Sequence, residues 1–144
     1  MENKDYEIFY NLVWNALHGP HSKIAEKTDL ACVYKKEYYS FAAISENTEK
    51  AYKELASIVD SGRRVILISL TEISQTLNLP EWSHIGSPKG HIMILDAPIE
   101  IPDLPIMKLS KQDALEMIAL SKNSHFTGDL TMEIIEIGNF YGIK

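Results

Sequence analysis

Two histidines and one cysteine in the first quarter of the chain are residue types that bind metals or act as nucleophiles. His18 and His21 flank a Gly-Pro pair, which breaks the helix that would align two imidazoles on one ion. No cysteine or acidic pair completes a ligand set beside them, so we expect a helix end rather than a metal site. Cys32 would need a histidine and an orienting group brought close by the fold. A free cysteine is more often a buried core residue, and this is the interpretation we favour.

Polar residues near the C-terminus are better candidates for ligand binding. His125 and Phe126 lie in a polar segment, residues 123–129, that predicts a loop. Binding residues concentrate on loops held by rigid elements, although Phe126 could instead anchor the loop to the core. Glu133 and Glu136 form a carboxylate pair that could do acid–base work, but such a pair is more often a solvated helix face. We identify no catalytic residue from these patterns.

One glycine-flanked segment superficially resembles a phosphate-binding loop. It runs from Gly86 to Gly90, but its spacing is not that of the Walker motif and it lacks the terminal Lys-Ser/Thr pair. A turn is the better interpretation. The sequence contains no GxGxxG, GxSxG or HExxH motif. We therefore predict no cofactor-binding and no metal-binding residue.

The elements that must position the candidate residues alternate between helix and strand. Apolar residues at helical spacing run from Tyr6 to Leu17, and Gly19-Pro20 ends this helix. Residues 30–39 lack periodicity and predict irregular or partly helical structure. Strands are predicted at residues 41–44, 64–70 and 91–95. Helices are predicted at residues 47–62 and 71–77. In the first of these helices Asn47 or Thr48 is the expected cap and Gly62 the expected end. The fold class is therefore α/β (α+β), a small mixed sheet flanked by helices.

Three prolines separate this region from the rest of the chain. Pro98, Pro102 and Pro105 cannot occupy a helix or a central strand. They predict a stiff, extended connection. We therefore expect an N-terminal α/β subdomain at residues 1–97, a Pro-rich connection at 98–106 and the start of a second domain at 107–144.

The second domain should begin with strand, helix, loop, helix and strand. Residues 106–109 predict a short strand, and Ser110 with Asp113 predicts a capping box for the first helix. Apolar residues give that helix a wide apolar face, which predicts that it is packed between other elements. Thr131 should cap the second helix, and residues 138–143 predict a strand. An unpaired edge on this last strand predicts pairing with a second copy or with the first subdomain's sheet.

Composition limits the possible partners and the location. The 144 residues carry a net charge of −6 and include one cysteine. An acidic chain disfavours nucleic acid and anionic membranes, and one cysteine excludes an internal disulfide and fits a reducing compartment. The chain opens MENKDYE, without the pattern of a secretion signal. We predict a cytoplasmic protein without nucleic-acid or membrane partners.

Two passages resemble one enzyme family. LVWNALHGPHSKIAE followed by FAAI, and DALEMIALSKNSHFTGDLTMEIIEIGNFYGIK, are similar to the N-terminal half of GCN5-related N-acetyltransferases (GNAT) of the FR47-like type. In the second passage the family pattern T…E-x-G-x-[FY]-x-G-I is matched by Thr131, Glu136, Gly138, Phe140, Gly142 and Ile143. In the family a Pro-Gly-type sequence precedes the phenylalanine of this pattern. In this chain Phe126 is preceded by Asn123, Ser124 and His125.

The resemblance implies acetyl transfer from acetyl-CoA to an amine on a small molecule or a protein. It places Asn123, His125, Phe126 and Glu136 on the acceptor-substrate side. The family's [RQ]-x-x-G-x-[GA] loop, which holds the pyrophosphate at a helix start, does not occur in this sequence. We therefore expect the N-terminal part of an acyltransferase, inactive alone and without affinity for acetyl-CoA. The alternatives are a non-catalytic interaction module, including a homodimer through the C-terminal strand, and a small-ligand-binding domain.

Overall fold

A computed structural model of the protein describes residues 7–68, 78–87, 89–91, 104–123 and 130–143. These residues form a mixed α+β structure with a four-stranded sheet and a two-stranded sheet, which confirms the predicted fold class. The chain divides into two compact units, Met1–Ser83 (unit 1) and His84–Lys144 (unit 2). Most of the predicted Pro-rich connection lies outside the described residues, so its place as a boundary stays a prediction.

Unit 1 is built on the four-stranded sheet. Its strands run in the order β1-β2-β3-β4. The first three are antiparallel neighbours, whereas β4 is parallel to β3 and follows a helical crossover. The elements of unit 1 are α1 (Glu7–Tyr10), α2 (Leu12–His18), a 3₁₀ turn (Ser22–Ile24), β1 (Ala25–Lys27), β2 (Ala31–Tyr34), β3 (Phe41–Ile44), α3 (Glu49–Ile58) and β4 (Ile66–Leu67).

Helices cover both faces of this sheet. Val13 and Leu17 of α2 pack on the face that carries Cys32, and Leu55 of α3 packs on the face that carries Val33. All four residues of β2 are buried. The prediction of irregular or helical structure at residues 30–39 is therefore wrong for this strand, because a strand covered on both faces shows no alternation of polar and apolar residues.

The N-terminal apolar stripe forms two helices rather than one. Asn11 separates α1 from α2, and its side-chain oxygen accepts a hydrogen bond from the Trp14 N–H at 3.4 Å. Its side-chain amide donates to the Ile44 carbonyl of β3 at 2.8 Å. This one side chain both starts α2 and attaches it to the sheet. The predicted end at Gly19 is confirmed.

The predicted cap of α3 is confirmed, but its predicted end is wrong. The Thr48 side chain accepts a hydrogen bond from the Ala51 N–H, whereas the helix ends at Ile58 and not at Gly62. Gly62 lies in the following turn at φ +79°, a conformation that suits glycine. The predicted strand at 64–70 is shorter over its described part, since β4 is Ile66–Leu67. Residues 69–70 lie outside the described residues. The helix predicted at 71–77 and residues 92–95 lie outside the described residues.

Unit 2 contains the two-stranded sheet and a pair of helices. The strands β5 (Ile106–Lys108) and β6 (Tyr141–Ile143) are antiparallel. Between them lie a 3₁₀ turn (Lys111–Asp113), α4 (Ala114–Asn123) and α5 (Met132–Ile137). The capping box of Ser110 with Asp113 and the cap of α5 at Thr131 are both confirmed.

The core of unit 2 is small. Ala114 and Met117 of α4 pack against Ile135 of α5. Leu115 and Leu120 of α4 are 82% and 72% exposed. The prediction that α4 is sandwiched is therefore wrong, because only the narrow side that carries Ala114 and Met117 meets α5.

Candidate functional site

The structure describes two of the four residues predicted to bind substrate. Asn123 is the last residue of α4 and is exposed to solvent. Glu136 is exposed on α5. His125 and Phe126 lie in the segment 124–129, outside the described residues. The four-residue acceptor site thus stays a prediction, with its two described members on the helices before and after residues 124–129.

Glu136 forms an ion pair with Lys111, which lies in the turn before α4. The two side chains are 49% and 65% exposed, so solvent and salt screen the attraction and the pair contributes at most about 1 kcal/mol. The pair attaches α5 to the turn that starts α4. In the described geometry Glu136 is thus paired with a surface lysine, and its role toward a substrate stays a prediction.

Two glycines of the C-terminal segment lie in close contact with neighbouring side chains. A Cβ atom on Gly138 would lie 2.2 Å from the ring of Phe140, and one on Gly142 would lie 3.1 Å from the Leu109 side chain. The Leu109 N–H also donates to the Phe140 carbonyl at 2.8 Å. Phe140 and Leu109 pack against the helix core of unit 2. These contacts lie where the chain leaves α5 and enters β6, the strand that pairs with β5.

A histidine–tyrosine pair in unit 1 was not identified from the sequence. His21 Nδ1 and the Tyr34 hydroxyl share a hydrogen bond of 2.6 Å, and the Tyr39 ring meets Tyr34 edge-on at 5.0 Å between centroids. Burial, followed by the charges of Tyr39 and Cys32, raises the pKa of Tyr34 to about 12. The phenol therefore remains protonated at neutral pH. Thirteen residues separate His21 from Tyr34, and no local pattern links them.

Arg63 fixes the connection between β2 and β3. Its Nη2 donates to the Tyr34 carbonyl at 2.6 Å and to the Tyr39 carbonyl at 3.1 Å. These carbonyls flank the loop between the two strands, so one guanidinium group holds both ends of that loop. In the sequence Arg63 is half of an Arg-Arg pair, and such a pair more often lies in solvent at the edge of a helix or strand. Only its position just before a strand hinted at a structural role.

Cys32 lies in the core and is fully buried. Burial raises the pKa of its thiol to about 12, although the charge of Lys27 and a hydrogen bond with the Ala43 backbone act in the opposite direction. A protonated, inaccessible thiol is a poor nucleophile. The prediction that Cys32 is a core residue is confirmed.

The two histidines of the HxxH sequence have different partners. The His18 ring stacks on Trp14 at 4.1 Å, and its Nδ1 lies 3.0 Å from the Trp14 carbonyl oxygen, whereas His21 is bonded to Tyr34. Among the described residues, no group of three or more His, Cys, Asp or Glu side chains could hold a metal ion. Within the same ranges, no helix combines the length and apolar character needed to span a bilayer.

Comparisons with known proteins provide no family for this chain. No family model matches it, and no curated protein or solved structure matches it either. Its function must therefore be inferred from the residues and geometry described above.

Proposed function

We propose that this chain is the N-terminal part of a GNAT-like acyltransferase and supplies the acceptor side of its site. In this proposal unit 1 is the N-terminal α/β subdomain and unit 2 opens the catalytic domain. Acetyl-CoA would bind to an [RQ]-x-x-G-x-[GA] segment that this sequence does not contain. The residues of unit 2 would position an amine against the thioester, which is the main contribution of an enzyme to such a transfer.

The observation that carries the proposal is the order of elements in unit 2. Capped helix, segment 124–129, capped helix and strand follow one another as the resemblance implies. The motif residues Gly138, Phe140 and Gly142 make close contacts in the segment that leads from α5 into β6. Asn123 and Thr131 lie on either side of the segment that holds His125 and Phe126. Residues 124–129 therefore lie between two helices of unit 2, as would suit a substrate-binding loop.

A calorimetric comparison of two proteins tests the proposal. One protein is residues 1–144, and the other continues through the downstream coding sequence to the first in-frame stop codon. We expect no binding of acetyl-CoA to residues 1–144 at micromolar concentrations and clear binding to the longer protein. Micromolar binding by residues 1–144 would refute the proposal. A downstream frame without an R/Q-x-x-G-x-G/A segment would refute it as well.

Acceptor-side variants in the longer protein test the roles of individual residues. Asn123→Ala and His125→Ala should each raise KM for the amine and leave the dissociation constant of acetyl-CoA unchanged. The matched control is Lys122→Ala, which changes the exposed neighbour of Asn123 on α4. Release of coenzyme A from acetyl-CoA, measured with a panel of amines, is the assay. An equal effect of Lys122→Ala would contradict the assignment.

A non-catalytic role in protein association is the second candidate, and the exposed face of the two-stranded sheet favours it. Ile106 pairs with Ile143, and Lys108 pairs with Tyr141, so these four side chains share one face of the sheet. Ile106, Ile143 and Tyr141 are each more than half exposed. An apolar face on a sheet with open edges is suited to pairing with a second copy through β6.

Sedimentation measurements separate this candidate from the first. A homodimer through β6 should dissociate at lower concentrations, and Ile143→Glu should convert it to a monomer because a buried, unpaired charge is costly. The control is Leu120→Glu, which adds the same charge at an exposed position of α4. A chain that remains monomeric at high concentration would exclude the dimer.

A further inference from the structure

The fold brings the two basic pairs of the sequence to one end of the four-stranded sheet. Lys35 and Lys36 follow the last residue of β2, and Arg63 and Arg64 lie just before β4. Because β2 is antiparallel to β3 and β3 is parallel to β4, the end of β2 and the start of β4 lie at the same end. Lys23 joins them, since its carbonyl accepts a hydrogen bond from Lys35 Nζ at 3.1 Å. These five residues define the basic end of unit 1.

The opposite end of the sheet is acidic, and its carboxylates are occupied by neighbouring donors. Glu54 accepts a hydrogen bond from the Leu30 N–H at 2.9 Å, and Glu49 accepts one from the Asn78 N–H at 2.9 Å. Glu46 accepts one from the Thr48 hydroxyl at 3.2 Å. Lys27 and Lys50 also lie at this end, and Lys50 Nζ is 4.0 Å from Glu54 Oε1. These carboxylates therefore have hydrogen-bond or ion-pair partners within unit 1.

The basic end is not neutralised in the same way. Arg63 and Lys35 donate to backbone carbonyls, which are neutral and leave the positive charges uncompensated. Lys36 and Arg64 are exposed. Within the described part of the chain, none of the five basic side chains belongs to an ion pair. The five cations outnumber the carboxylates of Glu37, which follows Lys36, and Asp60, whose carbonyl accepts a hydrogen bond from the Arg63 N–H. This excess of positive charge in a protein of net charge −6 attracts small anions.

We propose that the basic end of unit 1 binds a small polyphosphate anion. Its cations adjoin the ends of β1, β2 and β4. The distance from β1 to β4 is roughly 14 Å, because adjacent strands lie about 4.8 Å apart. A single carboxylate meets one exposed cation at a time, and such a pair is weak in water. A polyphosphate carries several charges on one short chain and therefore engages several cations together. The site selects for charge density rather than for a particular organic group.

Titration of residues 1–144 with inorganic tripolyphosphate, followed by amide chemical shifts at low ionic strength, tests this proposal. We expect saturable shifts at the basic end, and at least about tenfold weaker binding of inorganic phosphate and of acetate. The double variant Lys36→Gln/Arg64→Gln should weaken tripolyphosphate binding about tenfold, because it removes two exposed cations. Circular dichroism checks that the variant folds, which we expect because both residues are exposed.

The matched control is Lys53→Gln/Lys122→Gln, which removes the same total charge from exposed positions on α3 and α4. Unchanged binding in the control, together with weaker binding in the first variant, supports a defined site. Equal weakening in both variants would mean that only the net charge matters, and it would overturn the proposal. Equal affinities for tripolyphosphate and acetate, or shifts that fall outside the basic end, would overturn it as well.

Discussion

Replacement of Arg63 by methionine should destabilise unit 1 strongly, although the residue is only half-buried. Methionine keeps much of the length of the side chain and removes both hydrogen bonds to the Tyr34 and Tyr39 carbonyls. A hydrogen bond from a charged donor contributes about 1.5–3 kcal/mol. Partial exposure favours the lower figure, so the two bonds together contribute about 3 kcal/mol.

Tryptophan fluorescence in urea measures this loss, because Trp14 and Trp82 both belong to unit 1. With a slope near 1 kcal/mol per molar urea for a unit of this size, the midpoint should fall by about 3 M. The urea midpoint of Arg63→Lys should fall by about half as much, since an ammonium group reaches one of the two carbonyls. Arg64→Met is the matched control and should shift the midpoint by less than about 0.5 M, as surface substitutions do. Equal shifts for Arg63→Met and Arg64→Met would refute the assignment.

Three further predictions concern single residues. Cys32 should react with a thiol reagent only as fast as unit 1 opens, and rapid labelling of the folded protein would contradict its burial. Gly138→Ala should lower the thermal midpoint of unit 2, because its Cβ would displace the Phe140 ring, whereas Gly86→Ala, with open space around it, should not. Hydrogen bonds from Thr28 and Leu30 lower the pKa of Glu54 below its ordinary value of 4.5. The ionised carboxylate therefore stabilises the fold above pH 4.5, and this stabilisation is lost as the pH falls through the lower pKa of the folded state. The free energies of unfolding of wild type and Glu54→Gln should therefore converge in acid.

Local chemistry explains which parts of the fold were predictable. The caps at Thr48, Ser110 and Thr131 were identified because each depends on a side chain and an N–H group within three residues. Strand β2 was missed because burial on both faces removes the alternating pattern. The exposed leucines of α4 were expected to be buried, since an apolar residue does not reveal whether another element lies beside it.

The candidate sites were less predictable, because they depend on long-range pairing. Arg63 reaches carbonyls 24 and 29 residues away, and no sequence window contains both partners. Likewise, the basic end exists only because the order of the strands places residue pairs 35–36 and 63–64 at one end. The acceptor residues Asn123 and Glu136 came from a resemblance, and geometry places them on helices without revealing a reaction.

The strand order of unit 1 also implies a gradient of amide hydrogen exchange across the sheet. The antiparallel strands β1, β2 and β3 are joined by short connections. Strand β4 follows a helical crossover and, among the described residues, pairs with β3 through two residues. Val33 and Ala42 lie at the centre, pair with each other and are fully buried. Their amides should exchange last. The Ile66 amide, bonded to the Ser40 carbonyl at the margin, should exchange much earlier, so the loss of β4 is the first step of opening.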